Sequence, residues 1–192
     1  LRSSIVLSHR WWLPFLLGCL DNHDVLRPIT AAKLAELSPS ILGHPSPQPL
    51  TIDVAHVQTV FRVVESGSQT DAQLRADLIL FLQMLSRSKQ HASVLLDPQV
   101  ASIHHLVSML KKYHDTEPAL LTQTFSTLTN LLSREPAVAT FCAMNGLKFL
   151  LGLLSTRDLD LLEEVARALS YCTRPPSTTT VKSSRRESID FC

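Results

Sequence analysis

Eight histidines and four cysteines are the residues of this 192-residue sequence with the most obvious chemical potential. His104-His105 and His114 invite a metal or catalytic reading, because imidazole is the commonest metal ligand and titrates near neutral pH. Adjacent residues on a helix point about 100° apart, so His104 and His105 cannot share one ion unless another helix supplies the remaining ligands. There is no His-Glu-x-x-His and no Cys-x-x-Cys, and the nearest carboxylate, Asp115, falls in a predicted turn. The histidines therefore read as solvated or partly packed. Cys19, Cys142, Cys172 and Cys192 are far apart, and the first three sit in apolar helical stretches where a free thiol packs as a small hydrophobe. That pattern implies reduced cysteines and an intracellular, cytoplasmic protein.

The carboxylates give no stronger signal. Glu163-Glu164 reads as the solvated face of a helix, and Asp158 with Asp160 as an N-terminal turn stabilised by the helix dipole. A Gly-rich phosphate loop is absent, as is a Gly-x-Ser-x-Gly nucleophile turn. The sequence thus predicts no catalytic residue, no metal site and no cofactor, and the reading is of a protein that is not an enzyme.

Composition sets the class of scaffold. Apolar residues make up 45% and charged residues 18%, a folded-protein balance, while 5 Gly and 2 Tyr argue against a turn-rich β architecture. A formal net charge of +1 supplies no overall field to attract a phosphate backbone or an anionic membrane, so nucleic acid is not an expected partner. The apolar run Trp11 to Leu20, ending Leu-Leu-Gly-Cys, has the look of a secretory or lipoprotein signal, but it is too short to span a bilayer and carries Pro14. The same segment also recurs inside the chain. Leu1 in place of an initiator Met reads as a segment of a longer protein.

That recurrence organises the sequence. Laying Leu13 to Leu34 over Leu147 to Ala168 pairs eight identical residues, among them Phe15/Phe149, Gly18/Gly152 and Asp24/Asp158. A second overlay sets Leu74, Leu78 and Leu85-Ser86-Arg87 on Leu121, Phe125 and Leu132-Ser133-Arg134. The two offsets share a period in the low to mid forties, the length of a helical repeat that must stack on its neighbours to bury its apolar face. The clearest unit predicts a short helix from Pro136 to Met144, a stop at Asn145-Gly146 with Gly taking the left-handed conformation, a buried helix from Leu147 to Ser155, and a longer helix burying Leu161, Leu162, Val165, Ala168, Leu169 and Cys172. The unit before it predicts helices over Ser88 to Leu96, Val100 to Tyr113 and Pro118 to Arg134. Helices over Asp53 to Ser66 and Asp71 to Arg87 precede these, and Trp12 to Leu20 and Val25 to Leu37 supply an incomplete first unit.

The segment "MNGLKFLLGLLSTRDLDLLEEVARALSYCT" resembles the armadillo consensus, in which a Gly precedes an apolar helix, an acidic turn follows, and an Ala-rich helix closes with a Leu-Ser-Asn-like end. The resemblance implies an all-α, right-handed α-solenoid of about four armadillo/HEAT-like repeats over residues 11–173, the first incomplete. A Pro-rich loop at 38–50 interrupts it, where Pro39, Pro45, Pro47 and Pro49 forbid regular helix. Residues 174–192, Ser/Thr/Arg-containing and poor in apolar side chains, read as a disordered tail.

In that family the third helix of each repeat lines a groove that grips extended peptides. On the third helix ending at Arg134, Leu121, Phe125, Leu128 and Leu132 form the buried stripe, and Gln123, Thr127, Asn130 and Arg134 a polar one at helical spacing. Asn130 stands where the family's helix-end Asn would hold a peptide backbone, and Gln83 and Tyr171 stand there in the flanking repeats. These six residues are the candidate partner-binding set, equally readable as the solvated side of a helix. Nuclear-import adaptors of the family place a Trp four residues before that Asn. Ser126, Ile79 and Arg167 stand here instead, so that cargo is not expected. In the tail, Arg185-Arg186-Glu187-Ser188-Ile189 resembles a basophilic-kinase site, which makes Ser188 a phosphorylation candidate. The functional expectation is a non-enzymatic scaffold or adaptor binding a protein or peptide partner along the groove, without a membrane span. The alternative is a structural segment packed against another, possibly catalytic, domain of a larger chain.

Overall fold

The computed structural model describes residues 14–21, 24–42, 52–66, 72–113 and 117–174, and all regular structure among them is helical. Residues 14–21 form α1, and a 3-10 turn at Asp24–Leu26 leads into α2, Arg27–Leu42. Then follow α3 (Val54–Ser66), α4 (Ala72–Arg87), α5 (Lys89–Leu95), α6 (Ser102–Tyr113), α7 (Pro118–Leu132), α8 (Glu135–Ala143), α9 (Gly146–Leu153) and α10 (Leu159–Cys172). From α3 onward each expected helix is present, its ends within two residues of the expected ones.

Local chemistry explains where these helices begin. Pro118 and Pro136 stand in the first turn of α7 and α8, where a missing N–H leaves nothing unpaired. Asp158 caps α10, its carboxylate accepting from the amides of Asp160 at 3.0 Å and Leu161 at 3.2 Å. Asp53 caps α3 in the same way, accepting from the His56 amide at 2.9 Å. α6 and α9 are each entered through a left-handed residue, Ala101 at φ 54° and Asn145 at φ 60°.

That geometry corrects the expected role of Gly146. The left-handed residue is Asn145, whose short polar side chain tolerates the conformation, and Gly146 opens α9. A Cβ on Gly146 would collide with the Phe141 ring, so glycine is required there for close approach. A second correction concerns the Pro-rich segment. α2 continues through Pro39 to Leu42, because a proline removes one backbone bond from a helix whose earlier turns are held by buried Thr30, Ala31, Leu34 and Ala35. Residues 43–50 lie outside the described residues, as do Trp11, Trp12 and the tail beyond Arg174.

Packing follows a regular order. α2 packs on α4, α4 on α7 and α7 on α10, so every long closing helix meets the next, while the short helix α5 touches α3 and α4 and the short helix α8 touches α6, α7, α9 and α10. One hydrophobic core runs from Leu17 to Ala168 and includes Phe61, Phe125 and Phe141. Each fully buried Leu or Phe contributes about 1.5–3 kcal/mol. No single helix among the described residues is long and apolar enough to cross a membrane. α8 and α9 are apolar together but meet at 84°, and their Ala137, Phe141, Leu150 and Leu153 are buried in this core.

Candidate functional site

The closing helices α4, α7 and α10 bring polar side chains together along one face. Between α4 and α7, Gln83 Nε2 donates to Ser126 Oγ at 2.8 Å and Asn130 Nδ2 donates to Ser86 Oγ at 3.0 Å. Ser86 Oγ donates in turn to the Gln83 carbonyl at 2.6 Å, so the two cross-helix bonds belong to one network. At the start of the same two helices the buried Arg75 guanidinium ion-pairs with Glu117 and lies over the Tyr113 ring, 5.2 Å from its centroid.

This placement corrects part of the expected binding stripe. Thr127 is 1% exposed, and its hydroxyl donates to the Gln123 carbonyl within its own helix. Gln83 is buried as well. The reason is that α7 has closing helices on two flanks, α4 and α10, so the stripe beside its apolar face meets a neighbour rather than solvent. Asn130 is half-buried with its amide engaged by Ser86. Arg134 is half-buried at the N-cap position of α8, and Tyr171 is half-buried near the end of α10, its ring under the Arg174 guanidinium at 5.5 Å. The expected apolar stripe, Leu121, Phe125, Leu128 and Leu132, is buried throughout. Ser188 lies outside the described residues.

Gln83 and Gln123 do come together, at a cleft of about 280 Å³ where α4, α7 and α10 meet. Thr122 and Ser126 join them from α7. The opposite wall is acidic, made by Asp160, Glu163 and Glu164 of α10. Glu163 is exposed, as expected of a solvated face, but Glu164 is only 9% exposed, a further departure from the sequence reading. Its position three residues after Leu161 and four before Ala168 places it on the edge of the buried face, a periodicity that was available in the sequence. Arg167 pairs with both carboxylates, reaching Glu163 Oε1 at 2.9 Å and Glu164 Oε1 at 3.3 Å. Glu164 Oε2 and Gln123 Oε1 are buried without a hydrogen-bond donor.

Two further clefts lie on other faces. One, of about 450 Å³ between α3 and α6, is bounded by Gln58, Arg62, Glu65 and His105. Here His105 stacks on Phe61 with centroids 4.8 Å apart, and its Nδ1 lies 2.6 Å from Glu65 Oε1. The other, of about 470 Å³, is bounded by Lys111, Lys148, Met144 and Phe149. His104 is exposed, and among the described residues no group of three His, Cys, Asp or Glu side chains converges as a metal site.

No protein-family model matches the chain. The search of curated proteins finds no significant relative. Among solved structures, the crystal structure of an engineered protein from a structural genomics consortium superposes with a TM-score of 0.59 at 19% identity. The superposition covers 82% of this chain, which spans 60% of the length of that one. At that identity the likeness concerns the helical fold alone.

Proposed function

We propose that this chain is a non-enzymatic scaffold, an armadillo/HEAT-like α-solenoid that receives a protein segment along the face formed by α4, α7 and α10. Several repeated contacts support the solenoid reading. The bonds between α4 and α7 join residues 43 and 44 apart, and Arg75 and Glu117 are 42 apart. Between α3 and the entry to α6, Gln58 Nε2 donates to the Gln99 carbonyl 41 residues on, and His105 meets Glu65 40 residues back. Separations that stay near forty across different helix pairs are what a stack of equivalent units produces.

The observation that carries the binding reading is the cleft between α7 and α10, where two buried acceptors stand without donors. Such groups are costly in a folded protein unless something supplies a donor. The surface around them has polar side chains at helical spacing, which suits an extended segment more than a small substrate. The absence of any catalytic motif in the sequence accords with this, and the same reading places the protein inside the cell with a protein partner.

Photo-crosslinking tests the proposal. A photoreactive residue at Thr122, on the cleft, should trap partner protein at least several-fold more than one at Ser108, an exposed position on α6. Equal trapping, or trapping at Ser108 alone, would refute it. One specific feature favours the rival in which these repeats pack against another domain. Leu147, Leu151 and Leu154 of the α9 segment and Leu159 of α10 are exposed, and a crosslinker at Leu151 that traps the remainder of a longer chain would establish that arrangement.

A further inference from the structure

The cleft between the end of α6 and the corner joining α8 to α9 lies away from the α4, α7 and α10 face, and neither the repeat contacts nor the proposed function uses it. We infer that it is a second docking site, for a protein segment that sets an apolar side chain beside carboxylates. Its apolar lining is half-buried Met144 and Phe149 with buried Leu153, and exposed Lys111 and Lys148 line it too. Among the described residues no Asp or Glu does. Arg62, Arg75 and Arg167 have carboxylate partners in Asp21, Glu117 and Glu163, whereas these two lysines bring positive charge to an apolar recess with no acid on it. Surface lysines alone would be an ordinary solvated face. Gly152 is the second observation. It lies in the last turn of α9, where a glycine is destabilising relative to alanine. Its φ is not positive, as a left-handed helix stop would require, and a Cβ on it would meet no atom of the described residues within 4 Å. Gly146 of the same helix, by contrast, is required by the Phe141 ring. Gly152 thus opens bare backbone onto the cleft one turn from Lys148, and bare backbone lets a partner approach closely.

Charge and shape together select the occupant. A small inorganic anion would use the lysines and leave Met144, Phe149 and Leu153 uncovered. An anionic bilayer meets side chains that protrude, whereas these line a recess of about 470 Å³. That volume falls within the range of about 300–1,000 Å³ usual for ligand sites, and it takes an apolar side chain with the chain on either side of it. Lysine stems lie along apolar surface while their ammonium groups stay in water, so an acidic residue flanking the inserted side chain meets them at the mouth. Exposed ion pairs contribute little each, so the apolar contact supplies most of the affinity and the lysines supply the preference for acid.

Nuclear magnetic resonance on the full chain provides the test, with the peptide N-acetyl-Glu-Leu-Leu-Glu amide as probe and the same peptide carrying Gln or Lys in place of both Glu as controls. The acidic peptide should produce saturable shifts at the backbone amides of Lys148 and Gly152 in the millimolar range. The Gln peptide should bind about threefold or more weakly, as the loss of two exposed ion pairs implies, and the Lys peptide more weakly still. K111Q combined with K148Q, both exposed positions, should abolish the preference for Glu over Gln at an unchanged melting temperature. Gly152→Ala separates docking from folding. Its methyl meets nothing within the described chain, so the melting temperature should hold or rise, while affinity for the acidic peptide falls about threefold or more because the partner is held off the backbone. Absent shifts, equal binding of the three peptides, or unchanged affinity in Gly152→Ala overturn the inference, and a lowered melting temperature in that variant assigns the glycine to the fold and overturns it too. Equal shifts with inorganic phosphate would make the cleft an anion site, and lysine-dependent recruitment to phosphatidylserine vesicles without a peptide response would make it a membrane contact; either result overturns the assignment. Crosslinking at Thr122 reads the other face, so the scaffold proposal and this one fail separately.

Discussion

Asn130 on α7 donates its side-chain amide to Ser86 Oγ on α4 at 3.0 Å, joining residues 44 apart in the chain. The bond lies between two long helices, so the amide expected to hold a partner's backbone instead holds α4. Asn130→Ala should therefore lower stability, by about 0.5–1.5 kcal/mol in urea denaturation. Combined with Ser86→Ala it should cost less than the sum of the single changes, because both remove one shared bond. Strict additivity would show that the bond contributes nothing.

The entries to α6 and α9 make opposite predictions for glycine. Ala101 holds φ 54°, a conformation that costs an L-residue with a Cβ roughly 1–2 kcal/mol. Ala101→Gly should accordingly raise stability by about 0.5–1 kcal/mol, some of the relief being lost to the freer unfolded chain. Gly146→Ala should do the reverse and cost about 1–3 kcal/mol or more, since the added methyl must displace the buried Phe141 ring. Thermal melts of the two variants shifting in the same direction would refute this assignment of roles.

How much of this was legible in the sequence depends on how many neighbours a helix has. Apolar periodicity located α3 to α10 closely, and it marked Leu161, Val165 and Ala168 as buried, because one face against one core is what such a period encodes. It failed at Thr127 and Gln83, since α7 and α4 carry a second, polar contact face, where Gln83 donates to Ser126 across the helices and Thr127 to the Gln123 carbonyl of its own helix. Pattern alone does not distinguish a polar stripe bonded to the next helix from one bonded to water. Glu164 was misread for the related reason that its neighbour Glu163 is solvated, and the boundary between the faces falls between them. At Pro39 a local rule lost to packing elsewhere in α2. The acidic cleft combines residues far apart in sequence, Gln83 with Asp160, and only the stacking of three helices assembles it.

Arg75 was invisible to that reading and is 1% exposed, held by Glu117 and the Tyr113 ring. Glu117→Gln removes a carboxylate from a buried guanidinium and should destabilise by about 3 kcal/mol. Arg75→Met removes the charge while keeping most of the stem, and should cost less. In the double variant the cost should fall back toward that of Arg75→Met. If Glu117→Gln is the milder single change, the pair is not the buried contact described here.

The last prediction concerns the two thiols where α8 meets α10. Cys172 is half-buried, and burial pushes its pKa from the ordinary 9.0 up to about 11, with the nearby Cys142 a second, smaller cause. The thiolate is the species that alkylates, so at pH 8 Cys172 should react with iodoacetamide roughly 100-fold more slowly than an unperturbed thiol. Its rate should climb about tenfold per pH unit and level off only near pH 11, provided the fold persists. In urea the same cysteine should revert to the unperturbed profile. Because burial is the larger cause, Cys142→Ser should speed Cys172 only in part, leaving it slower than the unfolded control. Mass mapping of the Cys172 peptide across a pH series reads each of these outcomes. Full restoration by Cys142→Ser would assign the shift to the neighbouring thiol, and a profile centred near pH 9 in the folded protein would remove the buried contact altogether.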